Sequence, residues 1–282
     1  MTSPDANSAR LTSLPVRMGR TIHGQPLIVD FVAGGHWLIA GETRSGKSVA
    51  TYVLTAALAE HFATLRVVGV DPTSVVLGPF EDRFPDPAIV TGTGDIAACL
   101  WVIDDLLSQM DHRLQLLRRH DSDAIRCFSP SLPLVAVILE ELPALMRAAR
   151  TVDAGLKPAD RLAPRLERGI ERLLSEGAKV GFRVVALMQR PDAEVLGSGY
   201  ARAQLTTRIG FRMSDPADLS MLFRTLTPDE LSAGTRAEPG VGFIRTPGTV
   251  GAQRFRTDFV SSYRAWSRMV RQSGAPYYTG EK

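Results

Sequence analysis

Lysine is nearly missing from this chain. Only Lys47, Lys157, Lys179 and Lys282 stand among 33 basic residues, so the positive charge is almost all arginine. Such a bias is what GC-rich coding produces, and it makes an isolated lysine worth inspecting. Cysteine is also scarce: Cys99 and Cys127 are the two present. That excludes a disulfide framework as the source of stability, and both are read as reduced packing residues. Long hydrophobic runs are lacking. The longest clean run, Leu134 to Leu139, is far short of the ~20 apolar residues a membrane helix needs. The opening MTSPDANSAR contains no hydrophobic signal segment. A cytoplasmic location is therefore expected, with any membrane contact supplied by a membrane-anchored partner. Charge of one sign is not in large excess either. Thirty-three basic against 30 acidic residues leave a net +3, which permits nucleic-acid contact without demanding it. The five histidines show no zinc-like spacing with the cysteines.

What is present suits an ordinary globular protein. With 282 residues, 44% of them hydrophobic, the chain can bury one large core or one core with a small appendage.

Lys47 lies in GETRSGKS, Gly41 to Ser48, which fits G-x-x-x-x-G-K-[ST] at every fixed position. Its context agrees: HWLIA before it reads as a short buried strand, and VATYVLTAALAEHF after it as a helix. Glycines at 41 and 46 allow backbone angles closed to other residues, so successive N–H groups can turn inward and cradle phosphate at a helix N-terminus. Gly41, Glu42, Thr43, Arg44, Ser45, Gly46, Lys47 and Ser48 are thus the expected nucleotide-binding set, for ATP. Lys47 would reach the β and γ phosphates, and the Ser48 hydroxyl would hold Mg2+.

The run LVAVIL ends at two adjacent acids, Glu140 and Glu141. In phosphate-loop ATPases a buried strand beside the loop ends in such residues, one for the metal and one to activate water. Glu140 is expected in the metal shell and Glu141 as the base, because a cation would offset the repulsion of two like charges. The alternative is that both simply start the helix ELPALMRAAR, where acids favour the N-terminal dipole. A further apolar strand, FRVVALMQRP, ends at Gln189, whose amide could position water or sense the γ-phosphate. The helical LERGIERLLSEGAKVG before it completes the alternation of a parallel sheet.

Taken together, GETRSGKS, the acid-ended strand, GAKVGFRVVALMQRP and AQLTTRIGFRMSDPADLSMLF resemble the motor domain of the FtsK/SpoIIIE DNA translocases. That family's GxTGSGKS loop, acidic pair, ATQRP segment and IPTRIAFRVSS segment match Gly41 to Ser48, Glu140 with Glu141, Ala186 to Pro191, and Leu205 to Ser214. The resemblance covers roughly residues 20 to 272. It implies a RecA-like α/β P-loop NTPase core with a central, mostly parallel sheet flanked by helices. It also implies a homo-oligomeric ring, usually a hexamer, around double-stranded DNA, with ATP between subunits. An arginine from the next subunit would approach the γ-phosphate; Arg208 matches the arginine of the family's IPTR segment. Arg212, further along the same predicted strand, competes for that role.

Two positions depart from the family pattern. Glu140 stands where aspartate is usual, and Thr73 replaces the lysine of a DPK segment, so no role of that lysine carries over. Composition suggests a loose arm over residues 1–18, one ATPase domain over 19–272 and a frayed tail over 273–282. Residues 94–120 read as a helix whose basic end, Arg113, Arg118 and Arg119, is read as a solvated face in preference to a DNA contact. Thr151 to Pro164 reads as a mobile loop. The expected function is an ATP-dependent DNA translocase hydrolysing ATP with Glu141, Lys47, Gln189 and Arg208. The alternatives are a type VII secretion-like ATPase acting on proteins, and a nucleotide-binding adaptor without turnover.

Overall fold

A computed structural model describes residues 9–92, 94–191 and 199–274. Strands β1 (Pro15–Thr21) and β2 (Pro26–Asp30) form a hairpin, and β3 (Trp37–Ala40) runs into helix α1 (Lys47–Ala59). There follow β4 (Leu65–Asp71), α2 (Gly78–Arg83), β5 (Ile89–Thr91), α3 (Ile96–Arg119), β6 (Leu134–Leu139), α4 (Leu142–Asp153), α5 (Ala163–Glu176) and β7 (Phe182–Met188). The last third holds α6 (Gly199–Gln204), β8 (Thr207–Phe211), α7 (Pro216–Leu222), α8 (Pro228–Thr235), β9 (Val241–Arg245), β10 (Gln253–Thr257) and α9 (Tyr263–Gln272).

Among the described residues ten strands make one sheet, ordered β2-β1-β10-β9-β8-β3-β7-β6-β4-β5. From β8 to β5 the neighbours are parallel, whereas β9, β10, β1 and β2 extend the sheet antiparallel. This is the expected α/β architecture. Strands β3, β6 and β7 are buried at every residue, as parallel strands covered on both faces must be. One face packs against α3, α4, α5 and α7, the other against α1, α2 and α9. The aromatic Trp266 of α9 is fully buried; it stacks on Tyr52 of α1 at 4.3 Å and donates its indole N–H to Thr55 at 3.1 Å.

Three expectations about the periphery change. The arm expected through residue 18 is packed from Leu11 onward. The Leu11 and Phe128 backbones exchange N–H···O bonds of 2.9 Å in both directions, and Leu11, Leu14 and Val16 are buried. Residues 1–8 and 275–282, most of the remaining arm and most of the tail, lie outside the described residues. The loop expected over 151–164 shrinks from both ends. Asp153 is the reason: its carboxylate accepts from the N–H groups of Leu162 at 2.6 Å and Ala163 at 2.9 Å, fixing the start of α5. Arg113 is not on a solvated face. It is buried, lies over the Phe182 ring at 4.9 Å and donates to the carbonyls of Val180 and Pro133.

Candidate active site

Parallel register brings the predicted segments to one edge. Ala40 sits opposite Met188, Leu139 opposite Ala186, and Val70 opposite Leu139. The chain therefore leaves β3 as Gly41, β6 as Glu140 and β7 as Gln189 beside one another, at the carboxyl edge where open α/β sheets bind ligands. Gly46 begins α1 at φ 111°, and a Cβ there would lie 2.4 Å from the Gly240 nitrogen. Only glycine fits so close an approach. Gly240 in turn donates its N–H to the Ser45 carbonyl at 2.8 Å, bracing the loop from outside.

Lys47 and Glu141, 94 residues apart, meet at 3.1 Å between Nζ and Oε2. Both side chains are largely shielded, at 12% and 14% exposure, so the pair is stronger than a surface one. Glu141 occupies the N-cap position of α4 but makes no side-chain cap, and its backbone is left-handed at φ 45°. The carboxylate is turned away from the helix amides and onto Lys47. The alternative reading, of glutamates serving only to start a helix, does not describe Glu141.

Its neighbour Glu140 has a different environment. Burial pushes its carboxyl up to about 7; the nearby Lys47 cation opposes this, and the Asp71 and Glu141 charges reinforce it. One oxygen, Oε2, is buried with no hydrogen-bond partner. Asp71 is spent elsewhere, accepting from Thr73 N–H, Thr73 Oγ1, Val76 N–H and Leu77 N–H at 2.7–2.9 Å. An orphaned carboxylate oxygen among like charges is a donor set that fits a hard divalent cation. Among the described residues no three His, Cys, Asp or Glu form a complete protein cage.

A cleft of about 410 Å³ runs along the loop, lined by Arg44, Lys47, Ser48, Glu140, Glu141 and Gln189, with Tyr52, Val75, Val76 and Pro239 as an apolar side. A second cleft of about 710 Å³ shares Glu42, Thr43, Glu141 and Gln189 and adds Arg147 and Arg190. Sequence reasoning missed the apolar side and the tether at Glu42. That side chain accepts from Ser214 N–H at 2.7 Å and Ser214 Oγ at 2.8 Å, which hold it below the usual carboxylate range. The charge of Arg190 lies near it at 3.8 Å. An acid in the loop's second position was a visible signal, but its partner was not.

Arg208 is placed apart from Lys47, in a pocket beside α6 and α7. Its guanidinium donates to the carbonyls of Leu205, Arg202 and Leu222 at 2.8–3.1 Å. Arg212 lies past the end of β8, and its carbonyl accepts the Glu42 N–H at 3.1 Å. The two arginines therefore serve opposite ends of one strand; Arg212 belongs to the chain's own loop.

Residues 3–243 match the FtsK/SpoIIIE family. The chain belongs to that family. It is 26% identical over 294 aligned residues to the DNA translocase FtsK of Treponema pallidum, with 98% of this chain and 34% of that protein covered. It thus spans about a third of that relative. Among solved structures, the pCW3 conjugation coupling protein TcpA, a monomer form with ATPγS, superposes with a TM-score of 0.66 at 22% identity. That match covers 92% of this chain and 70% of TcpA. The cytoplasmic domain of the Thermomonospora curvata type VII secretion ATPase EccC gives 0.70 at 21% identity, covering 100% and 34%. At those identities the likeness is one of fold.

Proposed function

We propose that this FtsK/SpoIIIE-family chain is the motor core of an ATP-driven translocase of duplex DNA, working as a homo-oligomeric ring, hexameric by family resemblance, in the cytoplasm. The observation that carries the reading is the Lys47–Glu141 contact of 3.1 Å at the mouth of a glycine loop that can cradle phosphate. Ser48 and Glu140 would hold Mg2+, which when bound neutralises developing charge on the phosphates. Lys47 leaves Glu141 for the terminal phosphates, and the released carboxylate is then free to accept a proton from water. Gln189, on the shared wall of the two clefts, orients that water. Glu42, tied to Ser214, couples the loop to the β8–α7 connection. Arg208 lines a pocket separate from the one that holds its own Lys47 and would act on the nucleotide of a neighbouring copy. DNA contact would be made mainly to phosphates, independent of sequence and weakened by salt.

The test is hydrolysis by the purified chain with and without duplex DNA. Stimulation by duplex, lost with rising salt, is expected. Duplex that neither binds nor stimulates would overturn the DNA reading and point to protein cargo. An inactive wild type would overturn turnover altogether.

A further inference from the structure

Away from the nucleotide loop, four arginines gather in one concavity. Arg202, Arg208, Arg224 and Arg245 line a pocket of about 370 Å³ together with Gly199, Ala203 and Met221, and no acidic side chain is among its described lining residues. They come from four places in the chain: the last turn of α6, β8, the turn after α7, and the end of β9. Register puts Arg208 directly opposite Arg245 across the antiparallel β8–β9 pair. Like charges so placed repel and weaken a sheet. The repulsion is felt at Arg208: burial lowers its pKa, and the charges of Arg245, Arg224 and Arg202 lower it further.

The four are not equivalent. Arg208 spends three N–H groups on backbone carbonyls at the C-terminal ends of α6 and α7, leaving two of its five donors for anything else. It is an anchor, half-buried and immobilised. Arg224 and Arg245 are exposed, and among the described residues neither makes an ion pair. Their donors are free to close over an occupant.

We propose that this pocket is a phosphate-binding site, separate from the chain's own nucleotide loop, with Arg208 as its floor and Arg202, Arg224 and Arg245 as its ligands. Phosphate is favoured over carboxylate because it brings nearly twice the charge and three acceptor oxygens. Only that much charge offsets several guanidiniums at once, and arginine's planar fork matches it in bidentate fashion. A concavity with a buried floor takes a discrete phosphate group end-on. The site does not depend on the role assigned to Glu141. It rests on the reading of Arg208 proposed above and deepens it, because Arg224 and Arg245 join the two free donors of Arg208 on an incoming phosphate.

The experiment uses the full chain carrying Lys47→Ala, which disables the nucleotide loop, and follows thermal unfolding with added pyrophosphate at constant ionic strength. A saturable rise of about 5 °C at about one hundred times the dissociation constant is expected. Combining Arg224→Gln with Arg245→Gln should weaken the apparent affinity at least tenfold. Arg245→Gln alone should raise the unfolding temperature without anion, since it relieves the repulsion with Arg208; a purely structural arginine would lower it. A rise no larger than sodium chloride gives, or one unchanged in the double variant, would overturn the site. Two further arms separate the sources of phosphate. Hydrolysis regained on mixing Lys47→Ala chains with Arg224→Gln/Arg245→Gln chains assigns it to a nucleotide held by a second copy. Weakened duplex binding in the double variant without such recovery would overturn the discrete-phosphate reading, because a backbone diester carries one charge and two free oxygens. Loss of wild-type hydrolysis with pyrophosphate binding intact would sink the motor reading and leave this site standing.

Discussion

Replacing Glu140 by Gln should change how stability depends on pH, and the size follows from the site. An ordinary glutamate ionises near 4.5, whereas burial holds Glu140 protonated up to about 7. Below pH 4.5 the group is neutral in both folded and unfolded chains and contributes nothing to the slope. Between those values the unfolded chain gives up its proton while the folded protein keeps it. The folded state binds more protons, so its stability falls as pH rises. At about 1.4 kcal/mol per pH unit the loss is roughly 2–3 kcal/mol, complete by about pH 8. Glu140→Gln keeps the shape and removes the titration. Urea unfolding of both proteins without nucleotide or Mg2+ should then show the variant gaining about 2–3 kcal/mol on the wild type between pH 5 and pH 8. With Mg2+ and nucleotide present the gap should close, because a cation favours the carboxylate. A difference constant across that range would refute the assignment of Glu140 as a buried acid awaiting a cation.

Other substitutions act on separate parts of the site. Lys47→Ala should abolish ATP binding by calorimetry and cost about 1–2 kcal/mol of stability, since it leaves the shielded Glu141 without its partner. Glu141→Gln should stop turnover yet tighten ATP binding about tenfold, because Lys47 no longer has a carboxylate to leave; unchanged affinity in equilibrium binding would deny the competition. Arg208→Ala should lower the unfolding temperature by several degrees through the loss of contacts to two helix ends. It should also lose turnover, recoverable on mixing with Lys47→Ala chains if it acts in trans.

The legible parts of this molecule were those with local causes. Strands β3, β6 and β7 are short apolar runs punctuated by glycine or acid, and the helix after Gly46 starts where the glycine pattern places it. Once β3, β6 and β7 are parallel neighbours, register brings the segments of Lys47 and Glu141 to one edge, and the left-handed backbone of Glu141 completes the contact. What stayed hidden depends on partners distant in sequence. Arg113 looked like one cation in a basic helix end, and becomes a buried ligand of carbonyls 20 and 67 residues away. Asp153 looked like loop composition, and becomes the anchor of α5. The pairing of Arg208 with Arg245 needs the antiparallel register of β8 and β9, which no spacing in the sequence states.

Backbone strain belongs to the same hidden class, and at two loop positions it points the same way as the chemistry. Arg44 and Glu141 adopt left-handed angles of 62° and 45°, a conformation costing a non-glycine residue of order 1 kcal/mol or more. Both line the cleft that also holds Lys47 and Ser48. Glycine or asparagine would relieve the strain at either position, but would give up the charge. At Glu141 the strained backbone is what turns the carboxylate off the start of α4 and onto Lys47. The fold keeps a less stable backbone where a charged group faces the cleft, as expected when the position serves chemistry rather than packing.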